Sequence, residues 1–141
     1  MSPNATAMTD TFPKEMPANM SVDSYDWPEL RQLYRDSDVV VISLKAHNFQ
    51  AGLTTLFESL ACGRPVVMTR TPGLVEEFID ADVVTGVEPY DSAGMREAIL
   101  YLLSNPQEAE AQTERGYQLV RQSYNSEQFV DSLARQLTSL T

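Results

Sequence analysis

The 141 residues are enough for one domain with a real core and too few for two lobes with a cleft between them. With 43% hydrophobic and 21% charged residues, the composition excludes a disordered tract or a disulfide scaffold, and Cys62, alone, excludes an intrachain disulfide. Twenty acidic against ten basic residues leave a net charge of −10, a field that repels phosphate backbones and argues against nucleic acid as a partner.

Residues 1–19 hold Pro3, Pro13 and Pro17 without sustained periodicity and read as an irregular lead-in, so the domain is expected over residues 20–141, with a short strand near 20–22. Asp26 and Glu29 form a capping-box pair, Pro28 suits a first helical turn, and Leu30, Leu33 and Tyr34 follow at helical spacing, predicting a helix that ends near Ser37. Residues 38–43 are a short β-branched apolar run, the pattern of a strand covered on both faces in a parallel sheet, and residues 65–69 are a second. Between them Leu53, Leu56, Phe57, Leu60 and Ala61 mark an amphipathic helix, completing a strand–helix–strand unit. Residues 73–79 predict a short helix and residues 82–87 a third buried strand. The fold class is therefore α/β, a partial Rossmann-like parallel sheet of three to four strands with covering helices. Three helices close the chain. Met95, Ala98, Ile99, Leu102 and Leu103 mark one, Asn105-Pro106 starts the next, and Asn125 with Gln128 caps the last, whose stripe is Phe129, Val130, Leu133, Ala134, Leu137 and Leu140.

Ligands of open parallel sheets bind at the carboxyl ends of the strands, which directs attention to residues 44–53. Gly52 would let the backbone approach a ligand, and the free N–H groups of Leu53, Thr54 and Thr55 would form an anion cradle suited to a diphosphate. From these residues alone a plainer reading stands beside it, in which Gly52 permits a turn and Thr54 caps the helix. Glu58, on the face opposite Leu56 and Leu60, can accept bidentate hydrogen bonds from vicinal hydroxyls, or can simply be an acid favoured near a helix start. Cys62 reads as a small buried thiol, and no Cys/His spacing suggests a metal. Arg31, Arg35, Lys45, Arg64 and Arg70 read mostly as solvated surface. A lone cysteine, no basic-then-apolar leader and no run of about 18 to 20 apolar residues lead to the expectation of a cytoplasmic protein without evident membrane association.

The run Gly52-Leu53-Thr54-Thr55-Leu56-Phe57-Glu58-Ser59-Leu60-Ala61-Cys62-Gly63-Arg64-Pro65-Val66-Val67 resembles the core signature of the group-1, family 4-like retaining glycosyltransferases, in the C-terminal nucleotide-sugar-binding lobe of their two-domain GT-B architecture. Residues 27–43, Pro72-Gly73-Leu74-Val75-Glu76 and residues 86–103 are similar to its flanks, so the resemblance covers roughly residues 19–140. It implies a nucleoside-diphosphate sugar as ligand, Glu58 on the ribose hydroxyls, residues 52–55 facing the diphosphate, and Ser24, Tyr25 and Asp26 near the base. It implies no cofactor and no metal.

Two departures qualify that resemblance. The family usually has a donor-sugar glutamate where this chain has Gln50, with the glycine shifted by one residue, so Gln50, Asn48 and His47 are alternatives for that contact. The family's basic pair that neutralises the leaving diphosphate, and its amino-terminal acceptor lobe, match nothing in this chain, which leads us to expect a truncated half-lobe, mostly inactive alone. One function reading is the donor-binding half of an enzyme that transfers a hexose-like unit with retention, completed by a partner chain. The other is a non-catalytic nucleotide- or protein-binding module of the same descent. An uncovered apolar sheet edge along the strand at residues 39–43 further predicts a homodimer or a sticky chain.

Overall fold

The computed structural model describes residues 15–46 and 51–139. Asp26 ends the lead-in: its carboxylate accepts the Glu29 N–H at 3.0 Å while the Glu29 carboxylate accepts the Asp26 N–H at 3.0 Å, and this reciprocal pair starts helix α1, Trp27–Asp36. Ser37 closes the helix, its hydroxyl donating to the Leu33 carbonyl at 2.7 Å. The strand expected near residues 20–22 does not form. Those residues are exposed and irregular, and the Met20 N–H turns back onto the Pro17 carbonyl, with no strand among the described residues paired to them.

Among the described residues three strands make the sheet, β1 (Val40–Ile42), β2 (Val66–Thr69) and β3 (Thr85–Val87), joined by helices α2 (Leu53–Ala61) and α3 (Leu74–Asp80). They run parallel in the order β1-β2-β3, with Val41 opposite Val67 and Met68 opposite Gly86. The third strand starts later than expected because Asp82 takes a left-handed φ of 55° in the turn that closes α3.

β2 is buried at every position, which is why its sequence is apolar without alternation. Its Val66 and Met68 enter the larger core with Val40, Ile42, Leu56, Leu60, Val75 and Phe78. Val67 points to the other face, where Val87 and Leu102 complete a smaller core under helix α4, Ser92–Ser104. β1 departs from the expectation of two covered faces: Val40 and Ile42 are buried, but Val41 is 41% exposed. The smaller core under α4 takes in Val67 and Val87 from the two other strands but not Val41, and β1 is an edge strand of the described sheet.

Helix α5, Pro106–Ser123, packs on α2 and α4. Its Gln112 is buried and ties two strands together: the Val66 N–H donates to Gln112 Oε1 at 3.0 Å, and Gln112 Nε2 donates to Thr85 Oγ1 at 2.8 Å. Helix α6, Ser126–Thr138, is capped as expected by Asn125 accepting the Gln128 N–H at 3.0 Å. Its apolar stripe buries nothing, however, with Phe129 at 68% exposure; Leu140 lies outside the described residues.

Replacing Gln112 by Leu leaves the buried Val66 N–H without an acceptor, so Gln112→Leu is expected to lower the unfolding free energy by roughly 1–3 kcal/mol in denaturant titration. A loss below about 0.5 kcal/mol would contradict the bridging role.

Candidate functional site

The chain leaving β1 must turn over the ends of the strands to enter α2, and Gly52 makes that turn. It holds φ +73°, and an added Cβ would lie 2.8 Å from Ile42 Cγ2 and 3.2 Å from Met68 Cε, so both conformation and space demand glycine. Gly52 is itself the N-cap of α2, which removes the reading of Thr54 as the cap. A glycine cap offers no side-chain acceptor, and the first helical bond runs from the Leu56 N–H to the Gly52 carbonyl. The N–H groups of Leu53, Thr54 and Thr55 belong to the first turn, the positive end of the helix dipole, and Gly52 gives them no side-chain cap.

Side-chain and backbone bonds bind the strand ends beside this turn. The Leu44 N–H donates to Thr69 Oγ1 at 2.9 Å, and the Arg70 N–H donates to the Val87 carbonyl at 2.7 Å. Arg70 succeeds the carboxyl end of β2, but its guanidinium pairs with Glu88 at 3.0 Å. Next to it Thr71, 1% exposed, has a hydroxyl with no hydrogen-bond partner among the described residues. Lys45 is exposed.

Glu58 stands on the flank of α2 that faces α1, away from the buried Leu56 and Leu60, as its spacing implied. Here a cleft of about 410 Å³ opens between the two helices, lined by Trp27, Pro28, Leu30, Arg31, Tyr34, Glu58, Ala61 and Cys62. The Tyr34 hydroxyl donates to Glu58 Oε2 at 3.0 Å. Tyr34 is only 8% exposed, and burial raises its pKa above the ordinary 10.0, with the hydrogen bond to Glu58 and that carboxylate's charge adding to the effect; a hydrogen bond with Thr55 works the other way. The hydroxyl is thus a permanent donor near neutral pH. At the cleft's border Trp27 is 72% exposed.

The predicted residues are distributed unevenly around this geometry. Glu58 lines the cleft, and residues 52–55 form the start of the same helix. Tyr25 is exposed next to Trp27, and the Asp26 carboxylate is taken up by the capping box, so neither lines the cleft. His47, Asn48 and Gln50 lie outside the described residues. Cys62, expected to be buried, is half-buried at the C-cap of α2, packed against the larger core on one side and lining the cleft on the other. Tyr34 was legible only as a stripe residue; nothing in the spacing announced that it would bond Glu58 or that Trp27 would line the same cleft. Among the described residues no group of three His, Cys, Asp or Glu side chains is placed to hold a metal, and no helix is long and apolar enough to cross a membrane.

The chain is similar to known proteins in sequence and in fold. A family model described as glycosyl transferase-like matches residues 11–135. The D-inositol 3-phosphate glycosyltransferase of Arthrobacter sp. (strain FB24) is 32% identical over 103 residues, 73% of this chain. Among solved structures, sucrose-phosphate synthase from Thermosynechococcus elongatus superposes with a TM-score of 0.68 at 26% identity, over 85% of this chain and 30% of its own. The C-terminal domain of the glycosyl transferase group 1 family protein LpcC from Francisella tularensis gives 0.63 at 26% identity, over 75% of this chain and 53% of its own. The chain spans 22% of the length of the curated relative it matches.

The raised Tyr34 pKa has a stability consequence of definite sign. A folded-state value above the unfolded one adds stability that is whole below pH 10.0 and is lost as pH rises through the folded value. Tyr34→Phe should therefore flatten the alkaline fall in melting temperature relative to wild type, as read by circular dichroism between neutral pH and pH values above 10.0. Parallel alkaline falls in the two proteins would contradict this.

Proposed function

The chain belongs to the glycosyl transferase-like family, and from that premise we propose that residues 20–141 supply the donor-binding half of a retaining glycosyltransferase whose ligand is a nucleoside-diphosphate sugar. One observation carries the reading: Glu58 holds its carboxylate in an open cleft, with one oxygen engaged by Tyr34, on a helix whose amino end has no side-chain cap. Vicinal ribose hydroxyls match a carboxylate with free acceptor positions, and a diphosphate matches the N–H groups of Leu53, Thr54 and Thr55. In this reading the segment Ser24, Tyr25 and Asp26 lies near the base, with the Asp26 carboxylate kept by the cap of α1, and Gln50, Asn48 or His47 meets the donor sugar.

These residues bind and orient rather than attack. Retaining transfer from a nucleotide sugar depends on stabilising the departing diphosphate, and the helix start contributes partial positive charge there. A partner chain, or a second copy joined along the β1 edge, would supply the acceptor side. The named relatives, a D-inositol 3-phosphate glycosyltransferase and a sucrose-phosphate synthase, differ in what they make, so no acceptor carries over.

A second reading, a nucleotide- or protein-binding module without turnover, is favoured by Arg70. That cation lies just past the carboxyl end of β2 yet is paired with Glu88. Sugar-transfer assays with and without candidate partner chains separate the two readings, since only the first yields product.

Calorimetric titration with UDP, ADP and GDP tests the shared claim. Wild type should bind at least one of them, and Glu58→Gln, which keeps an acceptor for Tyr34, should weaken the tightest by about tenfold or more, the scale of a hydrogen bond to a charged group. Equal affinities for the two proteins, or no binding by wild type, would contradict the donor-site assignment.

A further inference from the structure

Resting on the reading of Glu58 as the ribose ligand, we infer that Tyr34 is the positioning residue of the donor site: its hydroxyl holds Oε2 of Glu58 and so presets the carboxylate for the ribose. The two residues sit on different helices, and Tyr34 is fixed by more than this contact. Its ring is part of the larger core, packed with Val40, Leu56 and Leu60 among others, so the hydroxyl's position is set by the folding of α1 against α2 and not by solvent.

The chemistry runs in one direction. An ionised carboxylate only accepts, so the phenol must donate its single proton to it, and that one bond leaves the remaining acceptor positions of Glu58 free. The cleft around that carboxylate is lined by the apolar Trp27, Pro28, Leu30 and Ala61 and by Arg31, and the phenol is the side chain that bonds the carboxylate there. A glutamate free to rotate would lose that freedom when a ribose binds; one already held by a buried phenol loses less, and affinity rises accordingly. A purely structural role, in which Tyr34 only satisfies Glu58, would leave recognition of the ribose hydroxyls untouched.

The test uses UDP, ADP and GDP with their 2′-deoxy and 3′-deoxy counterparts, titrated calorimetrically into wild type and Tyr34→Phe. Wild type should prefer the ribonucleotide by about tenfold. Tyr34→Phe should lose roughly three- to tenfold in ribonucleotide affinity while deoxynucleotide affinity stays unchanged, so the preference collapses with the fold intact by circular dichroism. A variant that keeps both the affinity and the preference overturns the inference while leaving the ribose reading of Glu58 standing. Equal weakening of ribo and deoxy forms overturns it as well, since that is the mark of general damage. A wild type that binds none of these nucleotides, or binds ribo and deoxy forms alike, removes the ribose reading itself and this inference with it. If Tyr34→Phe does not fold, Tyr34→Phe combined with Glu58→Gln removes the unpaired charge and is compared with Glu58→Gln alone. Equal affinities support a role exerted through Glu58, and a further loss overturns it.

Discussion

Gly52 has to carry the chain over the ends of β1 and β2 where no Cβ fits, in a left-handed conformation that other residues adopt only under strain. That constraint governs the geometry of the whole candidate site. It starts α2 directly above the strand ends, it leaves the helix without a side-chain cap, and it fixes the rotation of α2 so that Leu56 and Leu60 enter the core while Glu58 faces α1. Donor binding as proposed is in this sense a consequence of one turn, because the same geometry presents amide donors and a carboxylate acceptor along a single helix.

The electrostatics look contradictory only at the scale of the whole chain. A net charge of −10 repels an anionic ligand at long range, but within a binding site fixed local dipoles outweigh distant screened charges. The first-turn N–H groups of α2, which Gly52 does not cap with a side chain, are such dipoles. The glutamate in the cleft is directed at hydroxyls rather than phosphate, and its neighbours Trp27, Pro28 and Leu30 are apolar, so its charge is not reinforced by further acids at the cleft wall.

Much of the fold was legible because it rests on local chemistry. The Asp26–Glu29 box, the unbroken apolar run of β2, the stripe of α2 and the Asn125 cap each encode a short-range interaction that the structure reproduces. What periodicity could not show is what covers a surface. Val41 sits in a β-branched run yet is exposed, because no part of the described body covers its face of β1, and the stripe of α6 is a well-formed apolar face with no described partner. Gln112 was invisible for a related reason: a polar residue on a helix gains its buried role only when two strands of distant sequence arrive beside it. The candidate site divides in the same way. Gly52 and Glu58 were readable within one segment, whereas the meeting of Tyr34 with Glu58 depends on how α1 docks on α2, which neither helix encodes alone.

The most direct check of a donor site on α2 tracks the backbone amides of the isotope-labelled chain by NMR while a nucleoside diphosphate, and then the matching nucleoside, is added. The amides of Leu53, Thr54 and Thr55 are expected to shift with the diphosphate and not with the nucleoside, and those around Tyr34 and Glu58 to shift with both. Shifts confined to other surfaces, such as α6, or the same response at the start of α2 to both ligands, would contradict a diphosphate held by the helix that Gly52 begins.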